Sequence, residues 1–167
     1  MSSLRSGAAQ ILVVEDEAPI CQLLRTTLEA EGHVVHEAHS AREGRTLAGN
    51  RRIELFLIDL GLPDADGLTL IRHLRTWTQR PIVVLSARTD ELNKVEALDA
   101  GADDFVTKPF GVAELHARLR VALRHARQTS LSGGSTLKLG DCHVDLTAKS
   151  VTVANLPVRL TATQWRL

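Results

Sequence analysis

The sequence predicts an α/β fold in which five parallel strands form a doubly wound sheet, followed by a partial antiparallel β meander. Through residue 127, short apolar runs alternate five times with amphipathic segments, and strands separated by helices pair in parallel beneath helices on both faces. Beyond residue 135, short alternating runs are broken by turn residues, which is typical of antiparallel strands. Doubly wound sheets bind ligands at the carboxyl ends of their strands, so a functional site is expected there.

The first strand and helix are clearly marked. ILVVE (11–15) is an apolar run that ends in an acid. Pro19 suits the first turn of the following helix, because the N–H that proline lacks would be unpaired there in any case, and Gly32 suits its end. The residues expected on the buried stripe of this helix are Ile20, Leu23, Leu24 and Leu28.

Four further units repeat this pattern. The strands are predicted at HVVHEA (33–38), IELFLID (53–59), PIVVLSA (81–87) and DDFVTKPF (103–110). The helices are predicted from Ser40, from about Leu68 to Trp77, up to Gly101, and from Val112 to Arg127, the last with Leu115, Leu119 and Leu123 facing inward. Ser40 and Glu43 have the spacing of a capping box, in which each side chain bonds a free N–H of the helix start.

The chain is predicted to divide into four parts. These are a polar lead (1–9), a first domain (10–127), a Ser- and Gly-rich linker (128–135) and a second region (136–167). In the second region, the meander precedes LTATQWRL, where Thr161 and Gln164 have the spacing of another capping box.

Composition argues against several classes of protein. The 167 residues include 20 Lys plus Arg and 20 Asp plus Glu, so the net charge indicates neither nucleic acid nor a membrane as partner. Cys21 and Cys142 are too few and too far apart for a disulfide framework or a metal motif, and both are expected to be reduced. No segment resembles a signal peptide or a membrane span, which favours a cytoplasmic protein.

Polar side chains follow the predicted strands at their carboxyl ends. Glu15 and Asp16 end the first strand, Asp59 the third and Ser86 the fourth, and Lys108 lies just after the fifth. With the first strand central in the sheet, these ends would converge. Clustered carboxylates raise one another's pKa unless a cation compensates them, and such oxygen ligands suit Mg²⁺ beside a phosphate. The sequence therefore predicts a phosphoryl site with bound Mg²⁺.

The residue types divide the chemistry of such a site. Asp59 is the carboxylate that would accept a phosphoryl group, and the metal would lie on Asp16, Asp59 and Glu15. Lys108 would place its charge on one phosphoryl oxygen, and the Ser86 hydroxyl would donate to another. Taken singly, each residue has an ordinary explanation, because acids form turns and suit the positive end of a helix. Their coincidence at one edge favours the phosphoryl site.

Four motifs carry a resemblance to a known family. VVEDE, LIDLGLPDADG, VVLSAR and GADDFVTKPF, in this order, resemble the receiver domain of two-component response regulators over residues 10 to 127. With the meander and LTATQWRL, the chain resembles the OmpR and PhoB subfamily, whose effector is a winged-helix DNA-binding domain, here in truncated form. Within that subfamily, DLGLPDADG, RTWTQRPIVVLSAR and PFGVAELHARLRVALR resemble the regulators of potassium transport.

The resemblance implies a flavodoxin-like fold and a mode of action. A sensor histidine kinase would transfer a phosphoryl group to Asp59, with Mg²⁺ on Asp16, Asp59 and the backbone carbonyl of Gly61, and with Glu15 acting through water. The peptide bond from Lys108 to the next residue, a proline, would be cis. The protein would catalyse its own phosphorylation and slow dephosphorylation, and would not be an enzyme acting on other substrates.

The resemblance further implies a switch and a symmetric dimer. Ser86 would move toward the phosphate, and Phe105, where the subfamily usually has Tyr, would turn inward. Phosphorylation would promote a homodimer through the face of the fourth helix, fifth strand and fifth helix, and the full-length protein would bind promoter DNA. The charged residues assigned to this face are Lys94, Asp99, Asp103, Asp104, Glu114, Arg118 and Arg124. Glu114 and Arg118 are also spaced to pair within one helix.

Two alternatives are kept. A phosphatase of the haloacid dehalogenase type would use the same residue types, but such enzymes carry a second acid two residues after the nucleophile, and position 61 is Gly. An interaction module that works without phosphorylation would not need the complete set of site residues. DNA binding by this chain is expected to be weak or absent, because the sequence shows no recognition helix or wing.

Overall fold

The first part of the chain forms a five-stranded parallel sheet with helices on both faces, as predicted. The computed structural model describes residues 7–88 and 90–131, together with the backbone of four short strands further along. The strands of the parallel sheet are β1 (Gln10–Val14), β2 (Val34–Ala38), β3 (Leu55–Asp59), β4 (Ile82–Ser86) and β5 (Asp104–Thr107). The helices are α1 (Ala18–Ala30), α2 (Ala41–Asn50), α3 (Gly67–Arg75), α4 (Glu91–Ala100) and α5 (Val112–Leu131). The strand order is β2-β1-β3-β4-β5, so β3 is central and the prediction of a central first strand is wrong.

Apolar side chains build a separate core on each face of the sheet. In β3, Phe56 and Ile58 pack with residues of α2, α3 and α4, whereas Leu55 and Leu57 pack with residues of α1 and α5. Every residue of β3 and of β4 is buried. Strands covered on both faces read as continuous apolar runs instead of alternating ones, which is the pattern of IELFLID and PIVVLSA.

Three helix ends carry residues that the sequence indicated, with one difference in their bonding. Pro19 lies in the first turn of α1, and at the start of α2 the Ser40 Oγ accepts a hydrogen bond from Glu43 N at 3.1 Å. The Glu43 carboxylate accepts from His39 N at 2.7 Å, one residue earlier than a capping box requires. Gly101 ends α4 with a φ of 120°, a conformation that favours glycine.

Arg75, the last residue of α3, holds several segments together at the amino-terminal edge of the sheet. Its Nε donates to the carbonyl of Gly101 at 2.7 Å. Its Nη1 donates to the carbonyls of Thr78 and Arg80 at 3.2 and 2.7 Å, and its Nη2 lies 2.6 Å from Asp103 Oδ2. These contacts attach the end of α4 and the turn into β5 to α3.

The last helix of the parallel domain, α5, is longer than predicted. It continues to Leu131, so the predicted linker begins inside a helix, because residues 128–131 contain no glycine or proline that would end it. Neither α5 nor any other helix in the described part of the chain is both long and apolar enough to cross a membrane.

Four short antiparallel strands follow along the chain. They are β6 (Thr136–Leu139), β7 (Cys142–Asp145), β8 (Ser150–Val153) and β9 (Leu156–Val158), paired in the order β6-β7-β8-β9. The helix start predicted at Thr161 and Gln164 lies outside the described residues. The assignment of this region to a winged-helix domain and the predicted division of the chain into four parts remain predictions.

Candidate functional site

The predicted site residues come together at the carboxyl edge of the sheet. Glu15 and Asp16 follow β1, Asp59 and Ser86 are the last residues of β3 and β4, and Lys108 follows β5. Because β1 and β3 are parallel neighbours, the first two acids and Asp59 leave the sheet side by side. The strands β4 and β5 continue the sheet from β3, and their ends therefore reach the same edge.

Three carboxylates form the one cluster of potential metal ligands in the described part of the chain. Oxygens of Glu15, Asp16 and Asp59 all lie within 4.8 Å of one another. Glu15 is fully buried and Asp59 is 6% exposed, whereas Asp16 is open to solvent. Carboxylate oxygens are the donors that Mg²⁺ prefers, and the cluster brings three of them together beside a single lysine, which lies 2.6 Å from Glu15 Oε2. The donor set therefore fits a divalent cation.

Lys108 brings one positive charge to this cluster. Its Nζ lies 2.6 Å from Glu15 Oε2, 3.3 Å from Glu17 Oε1 and 3.4 Å from Asp59 Oδ1. Burial by itself lowers the pKa of a lysine, but the hydrogen bond to Glu15 and the charge of Asp59 outweigh it, and the pKa of Lys108 is raised. The bond from Lys108 to Pro109 is cis, in agreement with the resemblance. The contacts with Glu15, Glu17 and Asp59, together with the raised pKa, make Lys108 a fixed cation beside Asp59.

Glu15 has the opposite electrostatic problem. Burial raises the pKa of its carboxyl group, and the charge of Asp59 raises it further, whereas the contacts with Lys108 and with the backbone N–H of Glu17 lower it in part. The hydrogen bond from Glu17 N to Glu15 Oε1 measures 3.1 Å. Because one lysine does not fully offset the burial of Glu15, a second cation would favour the ionised cluster.

Ser86 and Phe105, the two predicted switch residues, lie on neighbouring strands. Ser86 is buried, and its Oγ accepts a hydrogen bond from Arg88 N at 3.0 Å. A hydroxyl that accepts one bond still has its own proton to donate. Phe105 is half-buried, and Lys94 Nζ lies 5.9 Å from the centre of its ring.

Two glycines shape the loop after β3. Gly61 forms an isolated antiparallel bridge with Asp66, and a Cβ at position 61 would lie 3.4 Å from Asp59 Oδ2, an ordinary contact distance. At Gly67, the first residue of α3, a Cβ would lie only 2.3 Å from the carbonyl oxygen of Asp59. A side chain at 67 would thus displace the backbone that carries Asp59.

The acids of this loop have positions that the sequence did not indicate. Asp64 accepts hydrogen bonds from the first two N–H groups of α2, those of Ala41 and Arg42, at 2.8 and 2.9 Å. Asp66 caps α3 by accepting from Leu68 N at 3.0 Å. The PDADG sequence is typical of a loop with capping acids, but nothing in it shows that Asp64 caps a helix earlier in the chain. Glu17, which contacts Lys108, was likewise not expected at the site.

Several residues assigned to the dimer face are paired within the chain. Arg118 lies 3.0 Å from Asp104 and 3.1 Å from Glu114, so the pairing within one helix that its spacing allowed does occur. Asp103 is held by Arg75. The remaining members of the set are Lys94, Asp99 and Arg124, of which Asp99 and Arg124 are exposed.

Comparison with known protein sequences identifies similar proteins. Residues 11–120 match the family model described as the response regulator receiver domain. The chain is 47% identical over 157 residues to the KDP operon transcriptional regulatory protein KdpE of Escherichia coli. The aligned region covers 94% of this chain and 69% of that protein. The chain is 43% identical over 159 residues to the two-component response regulator PhoP of Pseudomonas aeruginosa, covering 95% and 69% of the two chains.

Comparison with solved structures gives the same fold. The BeF3-activated N-terminal receiver domain of Klebsiella pneumoniae RstA matches with a TM-score of 0.67 and 33% identity, over 69% of this chain and 98% of that one. A two-component response regulator from Clostridium difficile matches with a TM-score of 0.68 and 28% identity, over 70% and 96% of the two chains.

Proposed function

Because this chain belongs to the response regulator family, whose receiver domain it contains, we propose that a sensor histidine kinase phosphorylates it on Asp59 with the help of Mg²⁺. The observation that best supports this proposal is the grouping of three carboxylates within 4.8 Å of one another, with Lys108 Nζ 3.4 Å from Asp59 Oδ1. The phosphorylated protein then controls transcription.

In the proposed reaction, an ionised oxygen of Asp59 forms a bond to phosphorus. The bond from phosphorus to the nitrogen of the kinase histidine breaks, and its electron pair stays on that nitrogen. Lys108 contacts a phosphoryl oxygen from its fixed position beside Asp59. Asp16, Asp59 and the backbone carbonyl of Gly61 would hold Mg²⁺, with Glu15 acting through water, and the ion would neutralise negative charge at the site.

Phosphorylation can be tested with a small phosphodonor. Incubation with acetyl phosphate and Mg²⁺ should add one phosphoryl group, detected by intact-mass spectrometry. The substitution Asp59→Asn should abolish the adduct, whereas Asp99→Asn, at an exposed acid on α4, should leave it unchanged. An adduct on another side chain, or none, would contradict the proposal. Repeated turnover of a phosphomonoester would indicate a phosphatase instead.

The proposed response to phosphorylation is a change on two neighbouring strands, β4 and β5. The Ser86 hydroxyl donates its proton to a phosphoryl oxygen, and Phe105 turns inward. Phe105 fills space but lacks the hydroxyl of a tyrosine, so it adds no hydrogen bond at the end of this movement. The face of α4, β5 and α5 then forms a symmetric homodimer, in which each charged residue takes part in two symmetry-related contacts.

Dimer formation can be tested by sedimentation in beryllofluoride and Mg²⁺. Reversal of charge in Arg124→Glu should weaken the dimer by at least about tenfold, because a symmetric interface places the new charge in two contacts. The matched control is Arg45→Glu, an exposed arginine on α2, which should leave dimerisation unchanged. Equal effects of the two variants would exclude the proposed face.

The protein is proposed to act in the cytoplasm and to control the transcription of potassium-transport genes. This proposal is supported by the 47% identity to the KDP operon transcriptional regulatory protein of Escherichia coli, and it includes promoter DNA as the partner of the full-length protein. In cells whose only copy carries Asp59→Asn, low potassium should no longer induce these genes, measured as transcript level. Normal induction would exclude this target.

A further inference from the structure

An ion pair joins the loops that follow β3 and β4. Arg88 Nη1 lies 3.1 Å from Asp66 Oδ2, and the two side chains are 41% and 42% exposed. Arg88 follows Ser86 closely, and Asp66 belongs to the loop that begins at Asp59. We propose that this ion pair is a positioning contact that holds the loop after β4 in its resting conformation and so controls how readily Ser86 turns toward phosphorylated Asp59. The inference rests on the proposed function.

Asp66 is the fixed partner of this pair. Its Oδ1 accepts from Leu68 N at 3.0 Å, and its carbonyl accepts from Thr69 N at 2.9 Å. Its backbone also forms the bridge with Gly61. The two oxygens of the carboxylate therefore have separate roles, since Oδ1 caps α3 and Oδ2 binds Arg88.

Arg88 connects this fixed point to the switch hydroxyl. Its backbone N–H donates to Ser86 Oγ at 3.0 Å, while its guanidinium contacts Asp66. Ser86 Oγ cannot move toward a phosphoryl oxygen without lengthening or redirecting the bond from Arg88 N. The ion pair opposes that movement because it restrains the same residue at its other end.

The expected effect is small but measurable. Half-exposed ion pairs contribute little to stability. Removing one such pair should change the equilibrium constant between two conformations by roughly two- to fivefold. When a contact is present in only one of two conformations, its removal shifts the population toward the other conformation. Loss of the pair should therefore favour the activated conformation.

The two residues can be separated experimentally without loss of the helix cap. Asp66→Asn keeps a capping oxygen, because Asn caps helices about as well as Asp, but it removes the charge that binds Arg88. Arg88→Gln removes the pair from the other side, and Arg88→Lys keeps a cation that can make the single contact. Arg25→Gln is the matched control, because it removes a 3.0 Å ion pair with Glu37 that joins α1 to β2.

The first measurement needs no phosphoryl group. Amide hydrogen exchange at Arg88, followed by NMR in the unphosphorylated protein, should be about two- to fivefold faster in Asp66→Asn than in the unmodified protein. Arg25→Gln should leave this rate unchanged. An unchanged rate in Asp66→Asn would overturn the inference.

The second measurement is the concentration of beryllofluoride that half-saturates the protein in Mg²⁺. Asp66→Asn and Arg88→Gln should each lower it by about two- to fivefold, the double variant should lower it no further, and Arg88→Lys should restore it in part. Opposite effects of the two single variants, or additive effects in the double variant, would overturn the inference. Failure of the unmodified protein to bind beryllofluoride at Asp59 would instead contradict the proposed function.

Discussion

Lys108 shows how far single residues of the site could be foreseen. It lies within 3.4 Å of three carboxylates, and two of these, Glu15 and Asp59, were expected because each ends an apolar run that predicts a strand. Glu17 was not expected, because the direction of a loop side chain depends on backbone turns that hydrophobic periodicity does not encode. Sequence patterns therefore indicated the site residues at or next to the strand ends and missed Glu17, which lies further into its loop.

Cys21 provides a test of burial beside the site. Its Sγ donates to the carbonyl of Glu15 at 3.0 Å, and burial raises the pKa of its thiol to about 11, with a further contribution from the charge of Glu15. At pH 8 its thiolate fraction is then on the order of a hundredfold below that of an unfolded cysteine. In a Cys142→Ser background, iodoacetamide should alkylate Cys21 at least about a hundredfold more slowly in buffer than in urea. Similar rates in the two solvents would show that Cys21 is accessible.

His36 should make the stability of the domain depend on pH. Its Nε2 lies 2.7 Å from Gln10 Oε1, and burial lowers its pKa, as does the charge of Arg51. The unfolded chain therefore takes up a proton at a higher pH than the folded chain. The contribution of neutral His36 to stability is full above its unfolded pKa, near 6.5, and is lost as the pH falls from there through the lower folded pKa. Urea unfolding at pH 7.5 and 5.5 should show a larger loss for the unmodified protein than for His36→Gln. Equal losses would contradict this assignment.

At the scale of elements, the starts of helices were more predictable than the extent of their faces and ends. Pro19 and Ser40 are at helix starts because local bonding alone favours them there. In α1, however, Leu23 is 42% exposed and Cys21 is buried, because the buried stripe depends on how the helix is rotated against the sheet. α5 continues beyond its predicted end for a different reason, because no strong local stop signal precedes the glycines at 133 and 134.

Asp64 should stabilise α2 from another part of the chain. Hydrogen bonds from the N–H groups of Arg42 and Ala41 lower the pKa of its carboxyl group. Its contribution is therefore present above its unfolded pKa, near 3.8, and is lost as the pH falls through the lower folded value. Asp64→Ala should lower the urea midpoint at pH 7, and the difference from the unmodified protein should shrink toward pH 3. A constant difference across this range would exclude a charge-dependent cap.

Two glycines in different helices should respond in opposite directions to the same substitution. Gly67→Ala should destabilise the domain by about 1–3 kcal/mol, because its Cβ would lie 2.3 Å from the carbonyl oxygen of Asp59. Gly49→Ala in α2 has no atom within 4 Å of its Cβ and should stabilise by about 0.5–1 kcal/mol through its helix propensity. Urea unfolding of both variants gives the comparison, and a neutral Gly67→Ala would show that the start of α3 can shift freely.

For the whole molecule, the sequence predicted a parallel sheet but not its strand order. Alternation of apolar runs and amphipathic segments is local, whereas the order depends on which strands the crossover helices bring together. The observed order places β1 beside β3, and this adjacency brings Asp16 and Asp59 close enough to share one ion. The composition of each strand carries no information on its neighbours.

The parallel domain should fold without the region that follows it. Both of its apolar cores are built from residues 9–123, and α5 ends at residue 131. A fragment of residues 1–131 should show one cooperative urea transition by circular dichroism and should bind beryllofluoride like the longer chain. A fragment that lacks a cooperative transition would show that its core is incomplete.

The contacts of Arg75 have a mechanical consequence for α4. This helix begins beyond the carboxyl end of β4, on the side of Ser86, and ends at Gly101, where Arg75 clamps the backbone. Because α4 is held at its C-terminal end, it can tilt about that end but cannot move along its own axis. Any displacement of α4 that starts near Ser86 should therefore be greatest at Glu91 and decrease along the helix toward Gly101.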